Sequence, residues 1–251
     1  RDRHRGVCRS AWRRWIEGAS SMRSLPSPGL NRGRGVEAES ARGHVHENER
    51  RARCQGAAGT IAAAAAGITG NVEIGHMVLG NTYRHPALAA KMAATVDQIS
   101  HGRFTFSIGA AWFQREHEAY SWDFPSMRER SDRLEEACKL IRLLFTSTDP
   151  VDFAGRYYKL IQAPLSPGSY QTPHIPIMVG GTGPKRTLKT LAMYGDVFNL
   201  DGFARRGMSI ELLREKITIL EQHCEKGAEL HDKHQILTQW KSWDQTCLNH
   251  A

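Results

Sequence analysis

Residues 72–86 read Val-Glu-Ile-Gly-His-Met-Val-Leu-Gly-Asn-Thr-Tyr-Arg-His-Pro, and residues 101–112 read His-Gly-Arg-Phe-Thr-Phe-Ser-Ile-Gly-Ala-Ala-Trp. Between them lies a run with helical spacing. Val72 to Leu79 is β-branched and apolar enough for a buried strand, and Gly80-Asn81 breaks it. Pro86 suits the first position of a helix, where a missing N–H costs nothing. Leu88, Met92, Thr95, Val96 and Ile99 then recur at helical spacing, and Gly102 fits a left-handed cap. Arg103 to Ile108 forms a second strand, closed by Gly109. Two strands joined by one crossover helix pair in parallel. Parallel strands buried on both faces belong to α/β folds.

The chain has 251 residues and a net charge of +8. A complete (β/α)8 barrel needs roughly 250 residues. The charge suggests a nucleic-acid partner until it is divided along the chain. Residues 1–54 hold 13 arginines against 6 acids, which leaves the body at +1. That arm has no sustained period, many Gly and Ser residues and few large aliphatics. It predicts a disordered basic extension or a segment foreign to the gene, and a nucleic-acid arm is the rival reading. Cys8, Cys54, Cys138, Cys224 and Cys247 show no CxxC or metal-ligand spacing, which favours a reducing, cytoplasmic setting and no metal. The run Ile61 to Ile68 is too short for a membrane span, so no membrane partner is expected.

Along the body, Ala57 to Gly67 reads as a short helix. Phe113 to Pro125 reads as a loop. Ser126 with Glu129 makes a capping box, and Met127, Leu134, Ala137, Cys138, Ile141, Leu144 and Phe145 form the stripe of the helix it opens. Val151 to Lys159 predicts a hairpin turning at Ala154-Gly155, read as surface decoration. Ile175 to Val179 is a third strand, and Pro184 sits where a helix would begin, with Leu188 and Leu191 on its apolar face. Asp196 to Leu200 is a short fourth strand. Ser209 caps a last helix with the stripe Ile210, Leu213, Ile217, Leu220 and Cys224. The organisation predicted is an arm (1–54), an α/β body (55–227) and a tail without defensible pattern (228–251).

The repeated unit is strand, Gly-rich turn, helix. Strand-end glycines recur at Gly80, Gly109 and Gly180, which in a barrel share the face that carries active sites. Gly180-Gly181-Thr182-Gly183 lets backbone approach an anion ahead of a helix N-terminus, with Lys185 and Arg186 just inside that helix. Its plainer reading is a tight βα turn. Met77, Val78, Leu79, Gly80 and Asn81 end the first strand at the same face. His76 reads as a satisfied core histidine and His85 as a helix cap. Arg84 suits a phosphate or an acid across the loop. Glu116 and His117 follow Gly109 closely enough to reach the mouth. They are the general acid/base candidates, and solvated loop residues are the alternative.

These residues carry a resemblance. Gly-Asn-Thr-Tyr-Arg-His-Pro-Ala-Leu from Gly80, Ile-Gly-Ala-Ala-Trp-Phe-Gln-Arg-Glu-His-Glu-Ala-Tyr from Ile108, and Pro-Ile-Met-Val-Gly-Gly-Thr-Gly from Pro176 occur in order. With Lys91 to Arg103 and Asp132 to Ala137 they resemble the luciferase-like flavin monooxygenase family, and within it the deazaflavin F420-dependent oxidoreductases. The resemblance covers about residues 68–227. It implies a (β/α)8 TIM-type barrel with F420, or alternatively FMN, at the strand C-terminal ends. It implies that Met77 to Asn81 is a bulged strand end behind the cofactor ring and that Gly180 to Gly183 holds the cofactor phosphate. It implies hydride exchange with a small organic substrate, with FMN monooxygenase chemistry as the alternative.

The sequence also departs from that pattern. Residues 1–54 do not supply the family's first two strands, and the last two are not recognisable after Gly227. Ala111 stands where Gly is frequent, and Val197 where Asp-Gly-Trp is usual. The expectation is therefore an incomplete barrel, with impaired activity and open sheet edges that favour a homodimer. A non-catalytic basic nucleic-acid-binding protein is the rival from another class, and the neutral body argues against it.

Overall fold

The computed structural model describes residues 58–76, 78–199 and 210–227. The predicted arm and tail, Met77 and the Ser209 cap lie outside the described residues. Helix α1 (Ala58–Ile68) leads through β1 (Ile74–Gly75) and β2 (Leu79–Gly80) into a 3-10 turn, Asn81–Tyr83. Helix α2 (Pro86–Ser100) then crosses to β3 (Phe104–Gly109), and α3 (Gln114–Ala119) and α4 (Met127–Thr146) follow. The hairpin β4 (Val151–Ala154) and β5 (Lys159–Ala163) precedes β6 (Ile177–Gly180), α5 (Thr187–Tyr194), β7 (Val197–Asn199) and α6 (Ile210–Gly227).

The main sheet is parallel throughout, with β1 and β2 both on β3, then β6, then β7. Crossover helices cover it, as (β/α)8-type folds require. Among the described residues the sheet is an open arc. Val72 to Leu79 is not the single strand expected. Ile74 pairs with Phe104 and Gly75 with Thr105, but Leu79 pairs with Ile108. One extra residue therefore lies on the β1–β2 side, which is the count of a bulge. Val72, placed in that strand by its side chain alone, is exposed.

Helix α2 starts as its sequence dictates. Pro86 opens it, and His85 Nδ1 accepts from the Ala87 N–H at 3.2 Å. Its buried face differs from the stripe of large residues. Ala89, Ala90, Ala93, Ala94 and Val96 are buried, whereas Leu88 and Ile99 are 52% and 42% exposed. The helix packs against α1, α4 and β3, and alanines let all three approach closely. Buried small residues outweighed exposed large ones, which a periodicity of bulk does not register. His101, rather than Gly102, takes the left-handed cap at φ 53°, and Gly102 follows at φ 80°.

Ser126 caps α4 through the Glu129 N–H at 3.3 Å. Its stripe is buried as expected from Leu134 to Phe145, but Met127 is exposed and Arg130 takes the inner place, its guanidinium 3.8 Å over the Phe124 ring. Phe104, Phe106 and Ile108 of β3 and Ile177 and Val179 of β6 form the centre of the core with Leu134, Leu140 and Ile141 of α4. Helix α5 begins at Thr187, not at Pro184. Arg186 is drawn toward α4, pairing with Asp132 and donating to the Arg128 carbonyl, so residues 184–186 form a turn before the helix. In α6, which packs on α5, Leu220 and Cys224 are buried while Leu213 and Ile217 are half-buried.

Candidate functional site

The ends of four strands stand in one register. Gly80 faces Gly109, Gly109 faces Gly180, and Gly180 faces Asn199. Parallel strands point their C-terminal ends the same way, so the loops after β2, β3 and β6 gather at one end of the sheet.

The row of glycines is packed by the protein's own side chains. A Cβ on Gly109 would sit 2.9 Å from Val78 Cγ2, and one on Gly180 would sit 2.7 Å from it. A Cβ on Gly80 would meet the ring of Tyr83 and lie 3.1 Å from the Ala111 methyl. Leu79, Gly80, Asn81, Gly109 and Gly180 are buried, whereas Val78, Gly181, Thr182 and Gly183 are half-buried. Ala111 holds φ 64° at this end, a left-handed conformation that costs a residue with a Cβ about 1–2 kcal/mol.

The turn after β6 is the most open backbone of the group. Gly181 adopts φ 125°, which only glycine takes readily, and donates its N–H to the Asn199 carbonyl at 3.2 Å. Thr187 folds back over the turn, so that a Cβ on Gly183 would lie 2.9 Å from its hydroxyl oxygen. That hydroxyl was not among the sequence candidates. Lys185 and Arg186 do not sit inside the helix. Arg186 is held by Asp132, and Lys185 is exposed.

Glu116 and His117 are not loop residues. They lie on α3 and are 7% and 0% exposed, which excludes the solvated alternative. Both reach the turn after β2. Tyr83 donates its hydroxyl to Glu116 Oε2 at 2.5 Å, and Thr82 Oγ1 lies 2.6 Å from His117 Nε2. His117 Nδ1 faces the Phe113 carbonyl at 2.8 Å. A carbonyl only accepts, so Nδ1 carries a proton and Nε2 accepts from Thr82 when the ring is neutral. Burial, with Glu116 adding to it, pushes the Tyr83 hydroxyl well above its usual range, so Tyr83 remains a donor.

His76 is buried as expected but not satisfied. Neither ring nitrogen makes a hydrogen bond of normal geometry among the described residues, although the Ala58 backbone lies near enough to favour the protonated ring. Burial lowers its pKa to about 4, the Arg84 charge adds to this, and the Ala58 backbone offsets part of it. His76 and Arg84 line a small cleft with Gly59, Met92 and Phe104. Asn81 Oδ1 is another buried atom without a partner among the described residues. Its Nδ2 donates to the Tyr158 hydroxyl at 3.0 Å, so the β4–β5 hairpin is not mere decoration. Tyr158 lies 77 positions away in sequence, and no local pattern could have paired the two.

Among the described residues no group of three or more His, Cys, Asp or Glu is placed to hold a metal. No described helix is long and apolar enough to cross a membrane.

In (β/α)8-type folds the C-terminal ends of the strands are the face that carries active sites, and these glycines stand at those ends. The chain belongs to the luciferase-like monooxygenase family, whose profile matches residues 43–218. It is 34% identical over 168 residues to the F420-dependent glucose-6-phosphate dehydrogenase of Amycolatopsis mediterranei (strain U-32), covering 66% of this chain and 46% of that protein. It is 35% identical over 97 residues to the FMNH(2)-dependent dimethylsulfone monooxygenase of Pseudomonas putida, covering 39% and 26%. Among solved structures it matches an F420-dependent secondary alcohol dehydrogenase in complex with an F420-acetone adduct. That match has a TM-score of 0.61 at 27% identity and covers 71% of this chain and 52% of the other. The chain thus spans about half the length of the curated relatives it matches.

Proposed function

We propose that this chain holds coenzyme F420 at its strand C-terminal ends and takes part in hydride exchange between that coenzyme and a small organic molecule. The observation that carries the proposal is the half-buried Gly181–Gly183 turn at the C-terminal end of β6, where Gly181 holds φ 125° ahead of α5. The F420-dependent names of the relatives agree with it. The residues fit such a group. Gly181 and Gly183 offer backbone without side chains and Thr187 offers a hydroxyl, which suits a phosphate. Asn81 Oδ1 is a buried acceptor without a partner among the described residues.

When bound, F420 gives or takes a hydride at its ring, and the accompanying proton falls to the protein. Glu116 and His117 are the residues placed to hold it. Glu116 is a carboxylate whose Oε2 accepts from the Tyr83 hydroxyl. His117 Nε2 is the free-base nitrogen, accepting from Thr82, while the Phe113 carbonyl fixes the proton on Nδ1. Val78, Leu79, Gly80, Asn81 and Gly109 form the wall behind the ring. Gly180, Gly181, Thr182 and Gly183 form the phosphate turn.

FMN is the second reading, supported by the FMNH(2)-dependent relative. The absorbance of chromophore that copurifies with the protein separates the two. F420 absorption without a flavin band supports the first reading, and a flavin band supports the second.

A further inference from the structure

The hairpin β4–β5 stands apart from the parallel sheet, yet its turn is tightly fastened. Glu136 of α4 accepts three backbone N–H groups from it: Arg156 at 3.0 Å, Tyr157 at 2.9 Å and Tyr158 at 2.7 Å. The Gly155 N–H closes on the Tyr158 carbonyl at 2.9 Å, and a Cβ on Gly155 would collide with the Glu136 carboxylate. The Tyr158 ring packs edge to face on His85, with centroids 5.3 Å apart. His85 in turn caps α2. The Tyr158 hydroxyl is therefore held from the hairpin side and from the helix side.

What it meets is Asn81, the first residue after β2, which is 4% exposed. A carboxamide has one donor end and one acceptor end. Tyr158 takes the donor end, Nδ2, at 3.0 Å. The acceptor end, Oδ1, is buried and has no partner among the described residues. Buried acceptors left unpaired are rare, and each calls for an explanation such as a ligand.

We infer that Tyr158 is a positioning residue for the cofactor site. It fixes the Asn81 amide so that Oδ1 is presented to a hydrogen-bond donor on the bound cofactor, a ring imide N–H or a side-chain hydroxyl. F420 and FMN both carry these groups. The inference rests on the reading that the Gly80–Asn81 strand end faces the cofactor. Tyr158 touches no reacting atom in this account, because it acts through Asn81.

The test is a double-mutant cycle read by fluorescence titration with F420, and separately with FMN. Tyr158→Phe removes one oxygen and keeps the ring against His85. It should weaken binding of the preferred cofactor about 3- to 10-fold, the worth of one net hydrogen bond. In an Asn81→Ala background the same change should have no further effect, since residues acting as one unit are non-additive. Asn81→Ser replaces Asn81→Ala if the latter does not fold. Thermal melts of all variants show that the fold is retained. Equal losses in both backgrounds, or no loss in the parent, would overturn the inference. Loss of binding in Gly181→Asp with none in Tyr158→Phe would overturn it while leaving the cofactor reading intact. No binding of either cofactor by the parent chain would overturn both.

Discussion

Val78 lies across the face of Gly180, with its two γ-methyl carbons 2.7 and 2.9 Å from where a Cβ would stand. The strand-end glycine is thus required by a neighbouring side chain, independently of any ligand. Gly180→Ala should destabilise the protein by about 1–3 kcal/mol, the usual cost of overpacking. Adding Val78→Ala should recover most of that loss, because the two residues occupy one space. Chemical denaturation of both singles and the double checks this. Strictly additive losses would show that the clash is relieved some other way.

Ala111 carries φ 64°. A methyl group is disfavoured there, and glycine is not. Ala111→Gly should therefore leave stability unchanged or raise it by up to about 1 kcal/mol, despite the added freedom of the unfolded chain. A lowered melting temperature would mean that the Ala111 methyl contributes packing that outweighs its backbone strain.

His76 predicts a pH dependence. Its pKa is about 4 in the folded protein, against 6.5 for a solvated histidine. Between these values the unfolded chain binds a proton that the native state does not. The stabilisation is present above pH 6.5 and is lost as the pH falls toward 4, by up to about 3 kcal/mol. His76→Phe, which keeps a ring against Phe104, should flatten that window. Urea midpoints at pH 7 and at pH 4.5 for the two proteins measure it. Parallel losses in both would place the acid sensitivity elsewhere.

Glu116 and His117 are proposed as proton carriers. Glu116→Gln and His117→Asn should each lower turnover about 10²–10⁴-fold while leaving cofactor affinity largely in place. Steady-state kinetics beside a fluorescence titration separates the two effects. If turnover is retained, both residues serve only to fasten α3 to the Asn81–Tyr83 turn, through Tyr83 and Thr82.

The parallel α/β architecture and the strand-end glycines were legible because they depend on local signals: β-branched runs, Gly breaks, and Pro86 with its His85 cap. The face of α2 was not, because Ala89, Ala90, Ala93 and Ala94 bury more completely than Leu88, and closeness of approach is a tertiary property. The start of α5 was misplaced because Arg186 answers to Asp132 on another helix. In the site, Glu116 and His117 were found as residue types, but their burial was not, since it depends on Thr82 and Tyr83 folding over them. Tyr158 was passed over because its partner is far away in the chain.

The cofactor reading is tested most directly at Gly181, whose φ of 125° places bare backbone at the turn after β6. Fluorescence titration of the unmutated chain with F420 should give saturable binding. Gly181→Asp should abolish it by adding both a side chain and a negative charge where an anion approaches the helix N-terminus. Saturable F420 binding of equal affinity in the two proteins would remove this turn from the site and contradict the account.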